Sequence, residues 1–237
     1  MAATVFEKIL TDDSSTQTDT ARLGAAATPH AGDWLHALPI TAVGLRLSDE
    51  AICIAVGFSL GSRTCQPHSC VCGTMVDAKG LHGLSCKRSA PRQIRHAQMN
   101  DIIWRSVKKA QYPAVKEPIG LSRPDGEKPD RATMIPWTRG KPLVWDVTIP
   151  DKFANSYIGE TSTRATAAAD RAAENKTTKY TDLAKTHHFV PIAIETGGAC
   201  NELTLELITE LGRRISGVTQ EPRETQFLFQ RWSISLQ

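Results

Sequence analysis

The chain has 237 residues, of which 41% are hydrophobic and 22% are charged, a composition typical of globular proteins. No apolar run approaches the roughly 18 residues of a membrane span, so a membrane-spanning protein is not expected. The N-terminal stretch MAATVFEKILTDDSSTQTDT lacks the basic start and apolar core of a secretory signal. The sequence therefore predicts a reducing, intracellular compartment.

The formal net charge of +3 is unevenly distributed along the chain. Residues 1–64 contain four basic and seven acidic side chains, whereas residues 87–148 contain thirteen basic and six acidic ones. Trp104, Trp137 and Trp145 lie within the basic stretch. Basic and aromatic residues in one segment favour a polyanionic partner such as nucleic acid, and a solvated basic surface is the alternative.

The first third of the chain divides into a leader and a linker. Residues 1–30 are rich in Thr, Ser, Asp and Ala, which predicts a flexible leader. Residues 31–64 predict a helical linker, in which Ser48 caps a helix that runs to Leu60 and closes at Gly61.

A Cys/His cluster follows, and it predicts a zinc knuckle over residues 65–90. Clustered cysteines in an intracellular chain favour metal over disulfides, and reduced structural cysteines are the alternative. A C-x-C pair followed by H-x3-C can close a tetrahedral Zn²⁺ site, here with Cys70, Cys72, His82 and Cys86. Because C-x2-C is the more common spacing, one ligand could be replaced by Cys65 or His68.

Residues 91–237 predict an α/β domain. A helix over Arg92–Ala110 is followed by three short apolar strands, a helix, a strand and another helix. Their predicted bounds are Ala114–Ile119, Asp130–Ile135, Leu143–Ile149, Thr163–Thr186, Phe189–Glu195 and Asn201–Ile215. This α-β-β-β-α-β order predicts a mixed sheet flanked by helices.

Two neighbouring strands each carry an aspartate. Alternation along Leu143–Ile149 places Asp146 on the face opposite Trp145, and Asp130 begins the preceding strand. Carboxylates on adjacent strands can share a divalent cation, and a strand-end aspartate that caps a turn is the alternative for either one alone. Asp125, in the same loop as Asp130, is followed by glycine and is interpreted as a turn residue.

A lysine on the next helix supports the metal interpretation. At about 100° per residue, Lys176 lies in the middle of a stripe of small residues, and Lys179 lies about 40° from its centre. Lys176 should therefore face the sheet, where it needs an anionic partner, whereas a lysine that extends to solvent fits Lys179 better. Two acids and a lysine around a cation are suited to phosphodiester hydrolysis.

These motifs resemble a known family. Lys128-Pro-Asp130 followed by Asp146 resembles the PD-(D/E)xK restriction-like endonucleases, although Thr148 stands where that family usually has its lysine. A lysine on the following helix, as in KTTKY, is similar to the endonuclease domain of site-specific non-LTR retrotransposons. The resemblance implies a restriction-endonuclease-like fold and a DNA endonuclease that uses Mg²⁺ or Mn²⁺. It implies catalytic roles for Asp130 and Asp146, with either Lys176 or Lys179.

The resemblance covers most of residues 30–237. In that family a CCHC knuckle lies between the polymerase and the endonuclease, and Asp33–Pro39 resembles part of the linker after the polymerase. It implies DNA as a partner, element RNA as a second partner, no membrane, and a nuclear or nucleocytoplasmic location. The predicted phosphate contacts are the basic residues of the first long helix, namely Arg92, Arg95, Arg105, Lys108 and Lys109. The competing hypothesis is a catalytically silent zinc-knuckle protein that binds nucleic acid.

Overall fold

A computed structural model describes residues 15–86, 88, 90–121 and 126–237. The predicted mixed α/β architecture is confirmed: helices flank a four-stranded mixed sheet, and the Cys/His cluster precedes it. Asp125 lies outside the described residues. Among the described helices, none has both the length and the apolar character needed to cross a bilayer.

The elements follow one another in a simple order. The helices are α1 (Gln17–Ala26), α2 (Asp49–Leu60), α3 (His82–Ser85), α4 (Ala90–Lys109), α5 (Ile158–Thr161), α6 (Ala167–Lys179), α7 (Leu183–Thr186), α8 (Glu202–Thr219) and α9 (Glu224–Ile234). The strands are β1 (His68–Ser69), β2 (Met75–Val76), β3 (Ala114–Lys116), β4 (Arg131–Thr138), β5 (Lys141–Thr148) and β6 (His188–Ala193). Two short 3₁₀ turns, Asp33–His36 and Thr41–Val43, lie between α1 and α2.

The main sheet has the strand order β3-β4-β5-β6. The first two pairs are antiparallel, and β5 runs parallel to β6. Strand β3 ends at Lys116, earlier than predicted, because Glu117 has a positive φ of 47° and Pro118 lacks the N–H that the ladder needs. The crossover from β5 to β6 contains α5, α6 and α7.

Strand β5 separates the two layers of the domain. Leu143, Trp145 and Val147 are buried in the main hydrophobic core with residues of α4, α8 and α9. Asp146 points to the other face, where α6 lies on the sheet through buried alanines such as Ala172. The small alanine side chains let the helix approach closely, which brings its longer side chains within reach of the strand.

The helix predicted over Thr163–Thr186 is shorter in the structure and divides into α6 and α7. It breaks at Thr181 and Asp182, residue types whose side chains compete with helical hydrogen bonds. The Thr181 hydroxyl donates to the carbonyls of Thr177 and Thr178, 3.2 and 2.8 Å away. The prediction of one continuous helix was wrong at its start and at residues 180–182, where it is interrupted, whereas α7 ends at Thr186 as predicted.

The predicted flexible leader is partly helical. Residues 17–26 form α1, whose Ala21 and Ala25 are buried, so this part of the leader prediction was wrong. The packed side of α1 consists of alanines, and a scan for large apolar residues overlooks such a face.

The linker that follows α1 packs against the C-terminal helix. The backbone N–H of Trp34 donates to the Ser233 hydroxyl at 3.2 Å, and that hydroxyl donates to the Ala31 carbonyl at 3.0 Å. Trp34 and Ile234 share a small hydrophobic cluster. The linker and α9 therefore form one packed unit.

Candidate functional site

The Cys/His cluster is built on a hairpin and a short helix. Strand β1 pairs with β2, and their turn carries Cys70 and Cys72. Gly73 adopts a φ of +90° in this turn and donates its N–H to the Cys70 carbonyl at 2.8 Å, a conformation that favours glycine. Helix α3 begins at His82, and Cys86 follows its last residue.

The four predicted ligands come together. Their ligand atoms all lie within 4.8 Å of one another, so Cys70, Cys72, His82 and Cys86 could hold a metal ion. The Cys70 and Cys86 sulfurs are 3.6 Å apart, and Cys72 Sγ lies 3.1 Å from His82 Nε2. Tetrahedral Zn²⁺ with Zn–S bonds of about 2.3 Å separates two sulfurs by about 3.8 Å, close to the observed spacing of the two thiols.

The alternative ligands lie outside this quartet. The Cys65 thiol donates to the Asp77 carbonyl at 3.1 Å, and His68 Nδ1 lies 2.9 Å from the Gln66 carbonyl.

Hydrogen bonding by Thr74 lowers the pKa of Cys72 to about 6. A thiolate, the form that binds metal, is therefore accessible at Cys72 near neutral pH.

We expect purified, reduced protein to carry about one Zn²⁺ per chain, because the quartet matches a structural zinc donor set. Cys70→Ser should lose the metal and make residues 65–90 sensitive to protease, since so small a unit depends on its ion to fold. Cys65→Ser is the matched control and should keep the metal. If elemental analysis finds zinc in Cys70→Ser but not in Cys65→Ser, then Cys65, and not Cys70, is the zinc ligand.

Asp130 is positioned by two elements. The pairing of Arg131 with Trp145 places Asp130 opposite Asp146 on the neighbouring strand. Asp130 Oδ2 accepts a hydrogen bond from the Val147 N–H at 2.7 Å and another from Asn100 Nδ2 at 2.9 Å. Strand β5 and helix α4 thereby fix one oxygen of the carboxylate.

Asp146 is buried, with 4% of its surface exposed, and it contacts Lys176. Lys176 Nζ on α6 donates to both carboxylate oxygens, at 2.9 and 3.0 Å. Burial raises the pKa of Asp146, and the nearby Asp130 carboxylate adds to the rise, while Lys176 and the Tyr180 hydroxyl oppose it. The two carboxylates therefore repel each other across the strands, and one ammonium only partly offsets their charge.

The second candidate lysine has a different partner. Lys179 forms an ion pair with Glu127, which precedes Asp130 in the loop before β4. Glu127 is largely exposed, and the two lysine side chains are about equally exposed, 22% for Lys179 and 26% for Lys176. Of the two lysines, Lys176 is the one whose ammonium is paired with Asp146.

Sequence reasoning missed a second buried ion pair beside the first. Lys152 Nζ lies 3.0 Å from Glu195 Oε2, and neither side chain has exposed surface. Glu195 Oε1 accepts hydrogen bonds from the N–H groups of Ala168 and Ala169, at 2.9 and 3.3 Å. Burial raises the pKa of Glu195 and lowers that of Lys152. Glu195 thus anchors the N-terminus of α6, the helix that carries Lys176.

The five basic residues predicted to contact phosphate do not form one continuous surface that is available to bind DNA. Arg95 donates to the Leu84 carbonyl at 3.1 Å and joins α4 to the knuckle. Arg105 pairs with Asp101, and Lys109 pairs with the buried Glu224 at 2.5 Å. The two remaining basic residues, Arg92 and Lys108, are exposed and form no ion pair with a described acid.

A groove of about 710 Å³ lies between the knuckle and the carboxylates. Its walls include Ser85 at the end of α3, Arg92 and His96 on α4, and Val147 on β5. His96 Nε2 donates to the Val147 carbonyl at 3.0 Å and lies 3.7 Å from Asp130 Oδ2. The groove therefore comes close to Asp130 through His96, and its walls carry the basic Arg92 as well as the acidic Asp151.

No protein-family model matches the chain, and no curated protein matches it.

Proposed function

We propose that the protein is a metal-dependent DNA endonuclease with a restriction-endonuclease-like core, of the kind found in site-specific non-LTR retrotransposons. The observation that carries this proposal is the Lys176 ammonium on the buried Asp146 carboxylate, opposite Asp130. Asp146 is buried close to the like charge of Asp130, an arrangement that costs stability even with Lys176 as a partner. A catalytic role explains the two carboxylates and the lysine better than a contribution to the stability of the fold does.

The donor set is suited to a divalent cation. Two carboxylates and one ammonium leave net negative charge, and a carboxylate oxygen has two acceptor positions, so Lys176 leaves room for a metal on Asp146. Asp130 uses only Oδ2 in its contacts with described residues. Asp130 and Asp146 would hold Mg²⁺ or Mn²⁺, which polarises a phosphate and acidifies a bound water.

The protein's own groups would position the substrate. The Lys176 ammonium can orient the attacking water or stabilise the charge that develops on the phosphate. Tyr180, the residue that follows α6, also lies near Asp146, and its hydroxyl lowers the pKa of that carboxylate. The groove with Arg92 and His96 at its wall would receive the DNA backbone. In the same proposal the knuckle holds Zn²⁺ and fixes the N-terminal end of α4 through Arg95.

The proposal is tested by plasmid nicking. Supercoiled plasmid should become open circular when Mg²⁺ or Mn²⁺ is added, and should stay intact when Ca²⁺ is added or the metal is omitted. Omission is preferable to a chelator, since a chelator would also strip the knuckle. Binding of DNA without nicking under all of these conditions would favour the silent binding protein instead.

A further inference from the structure

A second cationic feature lies further along α4 than the groove, toward the C-terminal end of the helix. The Trp104 indole is partly buried and is fixed by a hydrogen bond from Nε1 to the Ala114 carbonyl at 3.2 Å. Three cations surround its ring: Lys108 Nζ at 4.4 Å from the ring centroid, Lys116 Nζ at 4.7 Å and Arg131 Cζ at 5.9 Å. They come from α4, β3 and β4, so three separate elements converge on one aromatic side chain.

This convergence works against the stability of the free protein. Lys116 and Arg131 are directly opposite each other in the β3–β4 ladder, and like charges at such positions are destabilising. Among the described residues, no acid forms an ion pair with Lys108, Lys116 or Arg131. The buried Nε of Arg131 also has no hydrogen-bond partner within that part of the chain. An indole face attracts cations, but at exposed sites each such contact contributes little to stability.

We propose that Trp104, Lys108, Lys116 and Arg131 form a phosphate-binding platform that contacts the backbone of duplex DNA beside the carboxylate site. A row of phosphates supplies the anions that the three cations lack among the described residues. The rigid indole holds the cations in place before the DNA arrives, which reduces the ordering cost of binding.

The position of the platform relative to the carboxylates supports this assignment. Arg131 directly follows Asp130, and Trp104 lies one helical turn after Asn100, which donates to Asp130. Four residues of α-helix span about 6 Å, and one DNA strand carries a phosphate about every 3.4 Å along its axis. The platform would thus contact the same backbone close to the bond that is cut. This inference rests on DNA as the substrate of the proposed function.

The test measures binding of a fluorescein-labelled DNA duplex by anisotropy at several salt concentrations, without added Mg²⁺ or Mn²⁺. Lys108→Gln, Lys116→Gln and Arg131→Gln should each weaken binding to every sequence tested and reduce the slope of log affinity against log salt by about 1. The matched controls are Lys185→Gln and Arg213→Gln. These cations are paired with Asp182 and Glu210, so their loss should leave the slope unchanged.

A second measurement separates a binding role from a structural one. Without DNA, Lys116→Gln should be at least as thermally stable as the unmodified protein, because it removes a like-charge pair. Lower stability of Lys116→Gln, an unchanged salt slope in all three variants, or equal losses in the controls would overturn the platform. Vesicles of phosphatidylserine should not compete with the duplex, and competition that depends on the same three residues would assign the platform to lipid.

The outcome is independent of nicking. If the salt slopes change as expected but no plasmid is nicked, the platform stands and the endonuclease proposal fails. If nicking occurs while the slopes of all three variants match the control variants, the endonuclease stands and the platform is wrong.

Discussion

Asp146→Asn should reduce metal-dependent nicking by about 10² or more while duplex DNA binds as before. The amide keeps the shape of the side chain but removes the charge that would hold the cation and that pairs with Lys176. DNA binding should persist because Arg92 in the groove and the Trp104 platform are unchanged. Nicking and anisotropy measured on the same preparation, with a thermal melt, separate lost chemistry from lost folding.

Lys176→Met should reduce metal-dependent nicking by a similar factor. Lys179→Met should reduce it little, since Lys179 pairs with the exposed Glu127. Asp182→Asn and Lys185→Met are matched controls, because they remove an aspartate and a lysine that form an exposed pair elsewhere. Asp125→Asn tests the other Pro-Asp of the loop and should behave like the unmodified protein. Equal nicking by Asp146→Asn and by the unmodified protein would mean that the activity comes from a contaminant.

Breaking the buried pair of Lys152 and Glu195 should destabilise the protein more than any of the substitutions above. Either Lys152→Met or Glu195→Gln leaves one charged group in an environment without solvent, which costs about 3–5 kcal/mol of unfolding free energy. Urea denaturation monitored by circular dichroism measures the loss. Lys185→Met, in an exposed pair, should change the same quantity much less.

The double variant Lys152→Met/Glu195→Gln shows whether the effect arises from the pair. Because it removes both charges, it should lose much less stability than the sum of the two single variants. Additive losses would mean that each side chain contributes through packing or through the hydrogen bonds to α6. Glu195→Gln should also lower nicking more than DNA binding, since Glu195 holds the helix that positions Lys176.

Much of the carboxylate site could be predicted because it obeys local periodicity. Alternation along β5 assigns Asp146 to the face opposite the main core, and the alanine stripe of α6 assigns Lys176 to the side that meets the sheet. Each rule needs only one element and its neighbours in sequence. The mixed sheet flanked by helices follows from the same reasoning, because the order of strands and helices restricts how the layers can pack.

The parts that escaped prediction depend on partners distant in sequence. Arg95 and Lys109 look like free basic residues on a helix until the Leu84 carbonyl and Glu224 are placed beside them. Glu195 lies where a strand gives way to Thr-Gly-Gly, which is typical of an exposed turn, and its burial follows only from the approach of Lys152 and α6. Helical position shows where a side chain points, but not what it meets.

The packing of the linker against α9 also determines when the chain can finish folding. Trp34 and Ser233 are 199 residues apart, and ribosomes add roughly 5–20 residues per second. The linker is therefore synthesised roughly 10–40 s before α9, the helix against which it packs. During that interval Trp34 and its neighbours are exposed to solvent and to chaperones. Ribosome-bound chains stalled before α9 should consequently be cut by protease in residues 31–64, and released chains should resist.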